Sequence, residues 1–242
     1  MSKRFVTLSI AALLSLPVAS GAQTRSVNVR ADREAIVVYP GPAPMADSAA
    51  PVIAKLPPEA QKMLHMMAQM GPFSNNAKAI HGSFRLDATD AGATGDKVYA
   101  VAEFRGPDGA RWKVITDRLA TQDEPMLPHF GGVVLNWISH GSTGMNVPLV
   151  PTVRDAVALW GLSKVWKDGK LLTSAQPTHI MVTSRTRGDA SQGFAYQCWN
   201  CTQRPMGEVH VMLMAQNGMG VELPSPGGFV HVMWEQSKIT HQ

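Results

Sequence analysis

Residues 208–214 read EVHVMLM, and the same spacing of histidine and methionine recurs in THIMVTS at 178–184 and in FVHVMWE at 229–235. In these stretches histidine or methionine alternates with aliphatic residues, and β-branched and aromatic side chains are frequent. This pattern is typical of β-strands. Side chains two positions apart on a strand point to the same face. Each stretch therefore predicts a strand that presents histidine and methionine together on one side.

The other side of these three strands is aliphatic, so both faces are predicted to be covered. The aliphatic positions are Ile180, Val182, Val209, Val211, Leu213, Val230 and Val232. One face is therefore expected to form the hydrophobic core, and the other to form a surface of imidazoles and thioethers. His-x-Met occurs four times in the chain, counting His65 with Met67, where chance predicts about half of one occurrence.

Short apolar runs separated by turn signals continue through much of the chain before these strands. Gly-Pro-Asp-Gly at 106–109 and Asp-Gly at 168–169 are typical of hairpin turns, and no alternation of strand and helix is present. Thr152–Trp160 is predicted to form a short helix. The resulting fold class is mainly β, an antiparallel β-sandwich or barrel with one amphipathic helix packed on it.

That amphipathic helix is predicted at about residues 58–70. Pro58 suits a first helical turn, and Gly71-Pro72 ends the pattern. Helical spacing aligns Ala60, Met63, Leu64, Met67 and Met70 on one face. This methionine face is a candidate cover for the imidazole and thioether surface.

The N-terminus carries the pattern of a secretory leader. Lys3 and Arg4 precede an apolar run at 5–18, and the small residues of Ala19–Ala22 predict cleavage after residue 22. The run is too short to span a bilayer comfortably, and no cysteine near the cleavage position is available for lipid attachment. We expect a periplasmic or secreted protein without a membrane anchor.

The predicted domain organisation has three parts. Residues 1–22 form the signal peptide, residues 23–57 contain two short strands and a Pro/Ala-rich linker, and residues 58–242 form a single mostly-β domain. Removing the leader leaves 20 basic against 18 acidic residues, a net charge of about +2. The basic residues are scattered, which argues against a nucleic-acid partner.

Cys198 and Cys201 are the only cysteines, and they form a Cys-x-x-Cys pair. A thioredoxin-type site requires a helix at this point, but residues 202–207 are poor helix formers. Haem attachment requires histidine where Thr202 stands, and a zinc site requires two further ligands. The favoured interpretation is a disulfide that constrains the loop at 185–207 of an exported protein.

Soft-metal chemistry is the functional interpretation of the histidine and methionine pattern. Imidazole and thioether ligands together favour copper, above all Cu(I), over hard cations. The candidate ligands are His179, Met181, His210, Met212, His231 and Met233. Methionine also fills irregular gaps in hydrophobic cores, so ordinary packing is the competing interpretation.

Four further residues are candidates for a pocket or for a second shell around a metal. Glu208 shares a strand face with His210, and Glu235 shares one with His231. His129 and His140 lie near the two ends of one predicted strand, although the glycines close to them also suit ordinary turns.

Two functions follow from these patterns. The first is an exported soluble binding protein that holds a soft metal, copper, on its C-terminal strands. The alternative is a carrier of a small apolar ligand, or a periplasmic enzyme, with a pocket lined by Met, Trp and His; Trp137, Trp199 and Trp234 are its aromatic candidates. Common hydrolase, metalloprotease, phosphate-loop and dinucleotide motifs are absent, so the sequence leaves open whether the chain is an enzyme.

Overall fold

The computed structural model describes residues 24–42, 53–69, 73–92, 95–120, 132–140, 150–188, 195–196, 198, 200–214, 223 and 229–241. The predicted signal peptide lies outside these residues. The described strands are β1 (Arg25–Val38), β2 (Ala77–Asp90), β3 (Lys97–Arg105), β4 (Arg111–Leu119), β5 (Val133–Ser139), β6 (Val153–Lys167), β7 (Lys170–Ser184), β8 (Met206–Met214), β9 (Phe229–Trp234) and β10 (Lys238–His241). The helix α1 spans Pro58–Ala68.

The strands form a closed antiparallel barrel. Strands β1, β2, β3, β4, β6, β7, β8 and β9 are hydrogen-bonded in that order, and β9 pairs back with β1 to complete an eight-stranded barrel. The short strands β5 and β10 pair with β6 and β1 respectively. The predicted mainly-β fold is therefore confirmed, and of the two predicted architectures the protein has the barrel.

Strand β1 is one of the eight barrel strands. The sequence predicts two short strands here and places them before the domain, whereas the structure has a single strand from Arg25 to Val38. This strand pairs with β2 along its whole length, with β10 near its start and with β9 near its end. The chain ahead of residue 58 is thus needed to close the barrel.

The prediction of a short helix at Thr152–Trp160 is wrong, because these residues lie in or beside β6. Most of β6 is buried, since its inner side faces the barrel core and its outer side is covered by other side chains. A strand buried on both sides lacks the alternation of apolar and polar residues. Such an apolar run cannot be distinguished from a buried helix by periodicity alone.

The barrel interior is filled with aliphatic and aromatic side chains. An eight-stranded barrel is just wide enough for its interior to be packed by side chains. Leu86, Val157, Val211 and Val232 are among the fully buried residues of this core, and Trp234 packs against Phe84 there. The predicted aliphatic face of β7, β8 and β9 is therefore the inner face of the barrel.

Gly161 lies where β6 passes β4 closely. A Cβ atom at this position would lie 2.8 Å from the carbonyl oxygen of Arg118 on β4. We expect Gly161→Ala to lower the free energy of unfolding by about 1–3 kcal/mol, because the two strands must move apart to admit the methyl group. Urea unfolding would measure this loss, and an unchanged midpoint would contradict so close an approach.

Helix α1 confirms the position of the predicted helix. Met63 on its predicted apolar face is 53% exposed. The side chains of Leu64 and Met67, and Met70 as a whole, lie outside the described residues, so a role of this helix as a cover stays a prediction. No helix in the described part of the chain is long and apolar enough to cross a membrane.

Candidate functional site

The outer sides of β7, β8 and β9 carry the histidines and methionines that the sequence singled out. Residues directly opposite each other on antiparallel strands share a face, so the register places these side chains in neighbouring rows. One row contains Met181, His210 and Met233; the next contains His179, Met212 and His231; a third contains Thr183 and Glu208. We call these eight residues the His/Met face.

The His/Met face is buried although it lies outside the barrel. Its three histidines and three methionines are each at most 4% exposed. Phe73 covers part of it, with its ring centroid 5.1 Å from that of His231 and 5.8 Å from that of His210. Val150 and Tyr196 belong to the same apolar cluster as Phe73, Met181 and Met212. The predicted covering of both strand faces is thus confirmed. Among the described residues, Phe73, Val150 and Tyr196 cover the His/Met face.

His210 lies between a carboxylate and a second imidazole. Its Nε2 atom is 3.1 Å from Oε1 of Glu208, and its Nδ1 atom is 3.1 Å from Nε2 of His231. Because a carboxylate only accepts hydrogen bonds, Nε2 of His210 carries a proton toward Glu208. In the neutral ring, Nδ1 then has its lone pair directed toward His231. Carboxylates orient metal-binding histidines in this same way.

Glu208 is held by donors from the segment that follows β7. The backbone N–H and hydroxyl of Thr186 and the backbone N–H of Arg187 donate to its carboxylate. Burial by itself raises the pKa of Glu208, but the hydrogen bonds from His210, Thr186 and Arg187 bring that pKa below its ordinary value. Glu208 is therefore a buried anion that fixes the orientation of His210.

His179 and His140 are neutral imidazoles at physiological pH. Burial lowers the pKa of His179 to about 3 and that of His140 to about 4. Nδ1 of His179 donates to the carbonyl oxygen of Leu159 at 2.9 Å, and its ring stacks on Trp160 at 4.2 Å. This tautomer leaves Nε2 of His179 in the lone-pair form, which is the form that binds metals.

His140 lies beside the His/Met face, at the end of β5. Its Nε2 atom is 3.1 Å from the sulfur of Met181, and its ring centroid is 6.2 Å from that of His179. The sequence predicts His140 as a pocket or second-shell residue, and the structure brings it against a predicted metal ligand. Its partner in that prediction, His129, lies outside the described residues.

Asp155 is a buried carboxylate that the sequence did not single out. It lies opposite Thr183, on the outer side of β6, because a bulge between Asp155 and Val157 reverses the alternation of faces. It is fully buried, and neither carboxylate oxygen has a hydrogen-bond partner among the described residues. Burial raises the pKa of Asp155 to about 7, against a smaller opposing effect of the Ser139 hydroxyl.

The remaining predicted residues lie farther from the His/Met face. Glu235 is partly buried and lies one residue beyond the end of β9. Trp234 points into the barrel core, on the opposite side of the wall from Met233. Trp137 is 41% exposed on β5, and Trp199 lies outside the described residues. Trp234 therefore does not line a common pocket with the methionines of the His/Met face.

The predicted disulfide between Cys198 and Cys201 is confirmed. The backbone N–H of Cys201 donates to the carbonyl oxygen of Thr152 at 2.8 Å, which ties the bridged segment to the start of β6. Arg187 and Tyr196 lie in the same connection between β7 and β8, and the guanidinium of Arg187 is 4.2 Å from the ring centroid of Tyr196. The disulfide thus belongs to the segment that covers the His/Met face.

A metal site at this face would have to use methionine sulfur. Among the described residues, no group of three or more His, Cys, Asp or Glu side chains is arranged to hold a metal ion. Donor atoms that share one ion at about 2.0–2.3 Å in tetrahedral geometry lie roughly 3.3–3.8 Å apart. The His210–His231 and His140–Met181 atom pairs, each at 3.1 Å, are at hydrogen-bond distance, slightly closer than this spacing. The side chains of this face are imidazoles and thioethers, which are donors for soft ions.

Fold and site together define the class of this protein: a closed eight-stranded antiparallel barrel with a covered histidine and methionine face on the outside of its C-terminal strands. No family model, curated protein or solved structure matches the chain.

Proposed function

We propose that this chain is an exported binding protein that holds a soft metal ion, copper as Cu(I), at the His/Met face. The observation that carries the proposal is the orientation of His210, which has Glu208 at one ring nitrogen and His231 at 3.1 Å from the other. A carboxylate that accepts a hydrogen bond from a ligating histidine fixes its tautomer and increases its basicity.

The chemistry of the neighbouring side chains favours copper over hard cations. Thioether sulfur is a soft donor that selects Cu(I), and imidazole is a common copper ligand. Met181 and Met233 flank His210 in the same row, so sulfur is available on both sides of the imidazole. The low pKa values of His179 and His140 keep these imidazoles unprotonated in mild acid, where ordinary histidines lose metals to protons.

Export is the second part of the proposal and rests on residues 1–22. Their charged start, apolar run and small-residue end are typical of a cleaved signal peptide. The disulfide is consistent with an oxidising compartment, either the periplasm or the exterior of the cell.

The test is copper content and affinity of the protein expressed with its leader and purified from the exported fraction without chelator. We expect close to one copper per chain, and uptake of Cu(I) in competition with a weak chelator. The double variant Met181→Leu/Met233→Leu should bind Cu(I) at least about tenfold more weakly, because leucine keeps the apolar volume but removes both sulfurs.

Met206→Leu is the matched control. Met206 is partly buried and packs against the barrel core, so its sulfur is not part of the His/Met face. This control should bind copper like the wild type. Absence of copper uptake by the wild type, or equal affinity in the double variant and the control, would contradict the proposal.

The alternative function, a carrier of a small apolar ligand or an enzyme acting on one, requires empty volume beside the Met, Trp and His side chains. A cavity of about 950 Å³ bounded by described residues lies elsewhere, on the outside of β2, β3 and β4. A ligand-bound structure with an apolar molecule between Phe73 and the His/Met face would favour this alternative over copper.

A further inference from the structure

A groove of about 950 Å³ lies on the outer side of the barrel, across β2, β3, β4 and the second half of β6. Gly169, in the turn between β6 and β7, also borders it. None of its lining residues belongs to the His/Met face. Its volume lies within the range of small-molecule sites in proteins.

One row of the groove wall is cationic. The strand register places His81, Arg105 and Arg111 side by side on neighbouring strands, all exposed. Like charges directly opposite each other on a sheet are destabilising. Arg105 donates to the carbonyl oxygen of Gly109, and the Asp168 carboxylate accepts from the backbone N–H of Arg111; among the described residues, neither guanidinium forms an ion pair with a carboxylate. The two arginines therefore repel each other, and an anion placed between them would relieve this repulsion.

The next row on the same surface contains a pair of opposite charges. Glu103 and Lys113 also lie opposite each other, and their charged atoms are 2.8 Å apart. Compensation is thus present in the row of Glu103 and Lys113, whereas the row of Arg105 and Arg111 has no ion pair among the described residues. Guanidinium groups match the planar geometry of carboxylates better than ammonium groups do.

Apolar side chains continue the groove beyond the cationic row. Ile115 and Trp166 line it and are only partly buried. Leu171, paired with Trp166 across the β6–β7 hairpin, is 49% exposed and extends the apolar surface. Partly exposed aromatic and aliphatic groups of this kind suit the apolar body of a ligand.

We propose that this groove binds an organic anion, with its carboxylate between Arg105 and Arg111 and its aromatic or alkyl body against Trp166 and Ile115. Charge complementarity identifies the anionic end, and the apolar lining identifies the remainder of the molecule. The site is separate from the His/Met face and does not depend on a metal.

Fluorescence titration with the anionic probe anilinonaphthalenesulfonate tests this proposal, because its neutral counterpart phenylnaphthylamine has the same rings without the charge. We expect one sulfonate probe per chain, bound at least about tenfold more tightly than the neutral probe, and displaced by naphthoate but not by naphthamide. The affinity for the sulfonate should decrease at high salt, since exposed charge interactions are screened.

The double variant Arg105→Gln/Arg111→Gln should lose the preference for the anionic probe. Arg154→Gln, an exposed arginine at the opposite end of β6, is the matched control and should keep that preference. Met181→Leu/Met233→Leu should also keep it, which locates the probe away from the His/Met face. Equal binding of the two probes by the wild type, or an unchanged preference in the double arginine variant, would overturn the proposal.

Discussion

Glu208→Gln is expected to lower the free energy of unfolding at neutral pH by about 2–4 kcal/mol. The carboxylate of Glu208 accepts hydrogen bonds from His210, Thr186 and Arg187 in a fully buried position. Glutamine replaces one accepting oxygen by an NH₂ donor, which must then face another donor. The variant therefore loses charge-assisted hydrogen bonds and leaves buried donors without an acceptor.

Urea unfolding at several pH values measures this effect. Because the pKa of Glu208 is lowered in the folded chain, its stabilisation is fully present above the ordinary pKa of a glutamate, about 4.3, and is lost as the pH falls through the lower folded value. The difference between wild type and variant should therefore shrink in acid.

Glu103→Gln is the control for this measurement. Glu103 is exposed and forms an ion pair with Lys113, which should contribute at most about 1 kcal/mol. If Glu208→Gln unfolds at the same urea concentration as Glu103→Gln at neutral pH, the hydrogen-bonded role of Glu208 is refuted.

Asp155→Asn is expected to act in the opposite direction and to make the protein more stable at about pH 8. The pKa of Asp155 is raised to about 7 by burial, whereas an aspartate in the unfolded chain ionises near 3.9. Between these two values the folded chain retains a proton that the unfolded chain has released, so the wild type loses stability as the pH rises. The loss is at most about 4 kcal/mol, and asparagine avoids it.

The measurement is the free energy of unfolding from about pH 4 to about pH 8 for the wild type, Asp155→Asn and Asp117→Asn. We expect a gain of about 1–3 kcal/mol for Asp155→Asn at about pH 8, because the buried amide still lacks partners, and a smaller difference at about pH 5. Asp117 is exposed and pairs with Lys164, so its variant should follow the wild type. Parallel curves for wild type and Asp155→Asn would show that Asp155 does not ionise with a raised pKa.

These two carboxylates lie on either side of Thr183 in one row across β6, β7 and β8. Glu208 is stabilised as an anion by its donors, whereas Asp155 is destabilised as an anion by burial. Their effects on stability separate by pH, since Asp155 acts between about pH 4 and 7 and Glu208 at lower pH. One carboxylate with hydrogen-bond donors, Glu208, and one without, Asp155, therefore lie together at the edge of the proposed metal site.

Local periodicity allowed much of the barrel wall to be predicted. Strands β8 and β9 agree closely with the stretches at 208–214 and 229–235, and the inner and outer sides of β7, β8 and β9 follow from alternation alone. The helix prediction at β6 is wrong because it depends on the same local periodicity. An apolar strand buried on both sides has no alternation to detect. Asp155 lies within this predicted helix, so the sequence pattern gives no reason to place its side chain beside the His/Met face.

The sequence by itself determined which side chains share a face, since the two-residue period of a strand is a local property of the backbone. It thus placed histidine with methionine and separated both from the aliphatic core. Only the tertiary structure decided that β1 closes the barrel against β9, that Phe73 and Tyr196 cover the His/Met face, and that His210 meets both Glu208 and His231. These contacts join segments far apart in the chain, and they depend on strand register, on a bulge and on burial by distant side chains, none of which a local pattern specifies.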